Sequence, residues 1–125
     1  MSRKSISFLM IVLLVIPVQA IADGHAEKWY QSQWCSENKG QMEVVMPDDS
    51  RCDCVTEKHA IEFDFAGKWS EAIGQSLNYA MQTGKRAGIV MIVEKQKDRR
   101  FWIRLNSIIQ QFGLPIDTWI MTPKE

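Results

Sequence analysis

Within Ala87–Glu94 the run Gly88-Ile89-Val90-Met91-Ile92-Val93 is unbroken by any polar residue. A strand exposed on one face alternates apolar with polar side chains; a run with no polar position marks a strand covered on both faces. A chain carrying such a strand must build layers on either side of a sheet. An α/β architecture is therefore the expectation.

The flanking segments supply those layers. Trp69, Ile73, Leu77 and Ala80 recur at helical spacing over 69–83, and Gly84 follows as a stop. Phe101, Leu105, Ile108, Ile109 and Phe112 do the same before Gly113, and Leu114 to Met121 reads as a last strand. Upstream, residues 26–39 predict a helix with Ala26, Tyr30, Gln33, Trp34 and Glu37 on one face, Trp29 beside them and Gly40 as its stop. Gln41 to Met46, Arg51 to Thr56 and His59 to Phe65 read as strands. Pro47-Asp48-Asp49-Ser50 is turn chemistry at every position, and Glu57-Lys58 is a tight connection. The predicted order is αβββαβαβ, with a mixed central sheet between helices.

The amino terminus is of another kind. Arg3 and Lys4 precede an apolar run from Ile6 to Val18, broken only by Ser7 and Pro17, and Ala20-Ile21-Ala22 offers a small-x-small cleavage site. This is the pattern of a secretory signal, and the run is shorter than the roughly 20 residues a membrane-spanning helix needs. We expect a cleavable signal over 1–22, a single domain over 23–125 in the periplasm or secreted, and no membrane anchor after cleavage. Amino-terminal sequencing of the exported protein should begin at or near Asp23. A membrane-held chain that retains Met1 to Ala22 would refute the expectation.

Loss of Arg3 and Lys4 from 15 basic residues, set against 15 acidic ones, leaves a net charge of −2. A domain that lives by gripping phosphates is usually basic, so this balance counts against nucleic acid as a partner. Lys85-Arg86 and the group Lys95, Lys97, Arg99, Arg100 and Arg104 are local exceptions. The plain reading of that group is a solvated face.

Cys35, Cys52 and Cys54 follow the signal. Export permits a disulfide, and one bridge from the helical Cys35 to the strand of the other two leaves one thiol free. Alternation puts Cys52 and Cys54 on one face of that strand and Asp53 on the other. A zinc site would need a fourth ligand that neither His25 nor His59 convincingly supplies.

Asp53, on one strand of a predicted hairpin, and Glu62 and Asp64, on the next, can converge on one side of the sheet. Buried like charges are costly without a counter-ion, and oxygen-only ligand sets suit Mg²⁺. Lys68, Glu71, Gln75, Tyr79 and Gln82 form a polar stripe on the following helix, which starts where the strand of Glu62 and Asp64 ends.

These residues carry a resemblance. Arg51-Cys-Asp-Cys-Val-Thr, His59-Ala-Ile-Glu-Phe-Asp-Phe-Ala-Gly-Lys-Trp, Ala72-Ile-Gly-Gln-Ser-Leu-Asn-Tyr-Ala and Gly88-Ile-Val-Met-Ile-Val together resemble the PD-(D/E)xK nuclease superfamily. The likeness is to small, RecB-type members with a Gln-x-x-x-Tyr helix, and it spans residues 51 to 94. It implies a three-layer, restriction-endonuclease-like fold and a Mg²⁺- or Mn²⁺-dependent nuclease acting on DNA or RNA. Asp53 and Glu62 would be metal ligands, Gln75 and Tyr79 the helix motif, and Glu27 the leading-helix glutamate of many members. It also favours Cys54 over Cys52 as the partner of Cys35, because related sequences tend to be apolar at the position of Cys52. One position departs: Asp64 stands where the family carries its motif lysine. Asp64 can add a metal ligand, and Lys68 can reach into the cleft as the charge stabiliser. The alternative implied by the departure is a catalytically degenerate domain serving as a periplasmic binding or assembly module.

Overall fold

A computed structural model describes residues 24–123. The signal segment and Asp23 lie outside the described residues. The elements are α1 (Glu27–Glu37), β1 (Gln41–Val45), β2 (Arg51–Val55), β3 (His59–Phe65), α2 (Trp69–Thr83), β4 (Arg86–Ile92), α3 (Arg99–Phe112) and β5 (Ile116–Met121). Short 3₁₀ turns at Ala66–Lys68 and Gln96–Asp98 lead into α2 and α3.

The five strands form one mixed sheet in the order β1-β2-β3-β4-β5. β1, β2 and β3 are an antiparallel meander, while β4 runs parallel to β3 and β5 parallel to β4. The apolar run places β4 between β3 and β5, buried from Ala87 to Ile92. Its alternate side chains feed separate cores. Ala87, Ile89 and Met91 pack with Ala72 and Leu105 under α2 and α3. Val90 packs with Ile61, Phe63, Cys54, Trp34 and Cys35 under α1. Helices thus cover both faces, as a strand with no polar position requires.

Trp69, Ile73, Leu77 and Ala80 pack on the α2 side of the sheet, and Gly84 closes the helix with φ 68°, a left-handed position that glycine adopts without a Cβ penalty. Two helical faces differ from expectation. In α1 the inward residues are Tyr30, Gln31, Trp34 and Cys35, the last tied to the sheet by its bridge, while Gln33 and Glu37 are exposed. In α3 Phe112 is left 72 % exposed, and Trp102 joins the core with Phe101 and Ile109.

Cys35 bridges to Cys54, and Cys52 is a free, buried thiol. The bridge is roofed by Gly40, where a Cβ would overlap both sulfurs. Gly40→Ala should cost about 1–3 kcal/mol by overpacking, read as a lower denaturation midpoint at unchanged slope. An undiminished midpoint would contradict that packing.

Candidate functional site

The meander carries a local twist that alternation does not predict. β1 and β2 keep one register, Met42 with Cys54 and Val44 with Cys52, yet Glu43 between them has φ 54°. Above this point Met42 and Cys54 face α1. Below it Val44 and Cys52 pack with Ala60 and Tyr79 on the α2 side. Cys52 and Cys54 therefore do not share a face, and the expectation that they do is corrected. A non-glycine residue in the left-handed region costs roughly 1–2 kcal/mol, and such positions gather at functional sites.

At the same level β2 and β3 separate. They pair at Cys54–Ile61 and Val55–Ala60 and not beyond, although β3 continues to Phe65. Asp53 enters the gap, and its Oδ2 accepts the Phe63 amide at 2.7 Å. The side chain thus takes the place of a ladder bond and is fixed opposite Glu62.

Glu62 and Asp64 lie on the α2 side of β3, alternating with the core residues Ile61 and Phe63, and are 5 % and 7 % exposed. The Glu62 carboxyl reaches both the Asp53 and the Asp64 carboxyls. A contact between carboxyls is favourable only if a proton is shared, or if a cation stands by. Oε2 of Glu62 and Oδ2 of Asp64 are buried, and among the described residues no N–H or hydroxyl donates to either. Burial, followed by the charges of Asp53 and Asp64, pushes Glu62 up to about 10. Burial pushes Asp64 up to about 6. Asp53 is also raised by burial, against the Phe63 amide, which holds it down.

Residues from α1 complete the cluster. Glu27 is pushed up to about 7 by burial and then by the charges of Asp53 and Asp64, while Lys68 pulls the other way. Gln31, buried one turn further on, turns its side chain to Asp53. Glu43 adds its charge to Asp53 and pairs with Lys28 at 3.9 Å. Sequence reasoning passed over Gln31 and Glu43. The spacing of Gln31 four residues after Glu27 was the available signal for the first.

On α2, Tyr79 is buried beside Cys52 and Ala60, and its phenol is raised by burial and by the charges of Glu62 and Asp53. Lys68 is exposed in the turn before α2, near enough to Asp64 to lower it. Gln75 is exposed, one turn before Tyr79, and among the described residues no hydrogen bond joins it to the acids. The β1–β2 turn leans on the same helix: the Asp48 amide donates to Gln82 Oε1 at 3.1 Å, and Asn78 Nδ2 donates to Asp48 Oδ2 at 3.3 Å. Burial pushes the Cys52 thiol up to about 11, which keeps it protonated beside the acids.

The structure thus brings Asp53, Glu62 and Asp64 together, adds Glu27, Gln31 and Tyr79, and sets Lys68 at the margin. Among the described residues no three His, Cys, Asp or Glu side chains already stand as a set of metal ligands; the acids meet pairwise through Glu62. No described helix is long and apolar enough to cross a membrane. Comparison with protein-family models, curated proteins and solved structures returns no match.

Proposed function

We propose that the chain is an exported, metal-dependent phosphodiesterase of the PD-(D/E)xK kind that acts on nucleic acid. The observation that carries the reading is the gathering of buried acids, Glu62 and Asp64 on one face of β3 at 5 % and 7 % exposure, beside an Asp53 held in a gap between two strands. Acids buried this close together are costly without a cation or a shared proton, and an oxygen-only donor set suits a hard divalent cation. The meander, the crossover helix and the parallel strand beside it support a restriction-endonuclease-like core, as does the placement of Asp53 and Glu62 on neighbouring strands.

Asp53, Glu62 and Asp64 would hold Mg²⁺ or Mn²⁺. When bound, such an ion polarises a phosphoryl oxygen and makes a water more acidic. Lys68 approaches from the open side and offsets charge that develops on the phosphate. Tyr79 limits solvent below the acids and orients them. Gln75, on the exposed face of α2, contacts the substrate. The exposed Lys95, Lys97, Arg99, Arg100 and Arg104 offer phosphate contacts where α3 packs against the turn before Trp69; the Arg104 guanidinium stands 5.7 Å from the Trp69 ring centre.

Nuclease assays with Mg²⁺ and Mn²⁺ on single- and double-stranded DNA and RNA test the proposal. Cleavage by the wild type, lost in Asp53→Asn, is the expected result. A Lys68→Ala variant with undiminished cleavage would remove the lysine from the account. The second reading, a degenerate binding or assembly module, is favoured by two observations: Asp64 occupies the lysine position, and the net charge after loss of Arg3 and Lys4 is −2. Cation binding without cleavage of any of these substrates would establish it.

A further inference from the structure

The cysteine bridge sits where the acid cluster is assembled. Cys54 follows Asp53 directly in β2. Cys35 lies one helical turn beyond Gln31, the α1 residue that faces Asp53, and Glu27 lies one turn before Gln31. The segment bearing Asp53 has no ladder to β3 at that level; side-chain bonds hold it there, the Phe63 amide donating to Asp53 Oδ2 and the Cys52 thiol to the Ile61 carbonyl at 3.5 Å. The bridge is thus the covalent tie between the two elements that meet at Asp53. Cys52 is no rival partner, because the twist at Glu43 and Asp53 puts it in the cluster with Ala60 and Tyr79, on the far side of the sheet from Cys35.

We infer that the Cys35–Cys54 bridge is a redox clamp on this site: oxidised, it holds α1 and the Asp53 segment in place against Glu62, and as two thiols it lets them part. The functional meaning of the clamp rests on the phosphodiesterase reading. A precursor carrying its export signal is made in a reducing compartment, with both cysteines as thiols. The site is then incomplete where the cell keeps its nucleic acids and is completed after transfer. The chemistry is ordinary thiol–disulfide exchange. On closure, a protein disulfide of the oxidising compartment accepts two electrons and leaves as a dithiol with two protons, while the Sγ–Sγ bond forms. On opening, an external dithiol supplies both electrons and both protons and closes to its own disulfide.

Amide hydrogen exchange on the mature chain, free of divalent ions and compared between oxidised and dithiol-reduced protein, tests the clamp. The Phe63 amide is the reporter, since its acceptor is Asp53; amides of the β3–β4 and β4–β5 ladders are the internal references. Reduction should speed Phe63 exchange by at least about tenfold while the reference amides stay within about twofold, and reoxidation should reverse it. A Cys35→Ala/Cys54→Ala variant should match the reduced protein without reductant. Equal Phe63 protection in both states overturns the inference. So does a parallel loss across every ladder, which would make the bridge a general staple. Because exchange is read without metal, its result is separable from the cation reading, which falls instead if the oxidised chain binds no Mn²⁺.

Discussion

Glu62→Gln should make the metal-free protein more stable, and by a larger margin at pH 8 than at pH 5. In the unfolded chain Glu62 loses its proton near its ordinary value of 4.5; in the fold it holds the proton up to about 10. Between those limits the folded state binds more protons than the unfolded one, so stability falls as pH rises. Asp64, from 3.8 to about 6, and Glu27, from 4.5 to about 7, add to the fall in the lower part of the window. Each fully effective group contributes a slope of up to ~1.4 kcal/mol per pH unit. Replacing the Glu62 carboxyl by a neutral amide removes the largest share, while the amide N–H can still donate to the Asp53 or Asp64 carboxyl as the Glu62 proton does. Urea denaturation of both proteins at pH 5, 6.5 and 8 measures the difference. Parallel pH profiles would mean that Glu62 is an ordinary structural acid with its own neutral partners.

Phe63→Ala should cost about 3–5 kcal/mol, the range for a large aromatic side chain removed from a core. Phe63 is fully buried on the α1 side, with its ring 5.8 Å from Trp34 at 76°, while its amide holds Asp53 on the other side of the backbone. One residue therefore joins the core to the site. Phe63→Leu keeps most of the apolar volume and the amide, so it should lose under ~1.5 kcal/mol. If both variants lost the same stability, the cost would come from the backbone at Asp53 and not from the core.

The parts of the fold legible in the sequence are those fixed by periodicity. The unbroken run at Gly88–Val93 gave a buried strand. The stripe at Trp69, Ile73, Leu77 and Ala80, with Gly84 after it, gave a helix on one face of the sheet. The three acids were legible too, since Glu62 and Asp64 alternate with Ile61 and Phe63 and Asp53 lies opposite across the hairpin register. Alternation failed at Cys52 and Cys54 because it assumes an even pleat. The left-handed Glu43 and the opening of β2 from β3 break the pleat at one level, and neither leaves a mark such as glycine at position 43. Gln31 was hidden for a different reason. A polar residue in an amphipathic helix reads as outward, and only the acid it faces accounts for its burial.

The most direct measurement is calorimetric titration of the metal-free, oxidised mature chain with Mn²⁺ at pH 8 in buffers of different protonation enthalpy. Saturable binding is expected, with an apparent heat that changes with the buffer, because Glu62 must give up its proton to become a ligand. Glu62→Gln should bind no Mn²⁺ under the same conditions. No binding by the wild type, or equal binding by Glu62→Gln, would contradict the claim that these buried acids form a cation site.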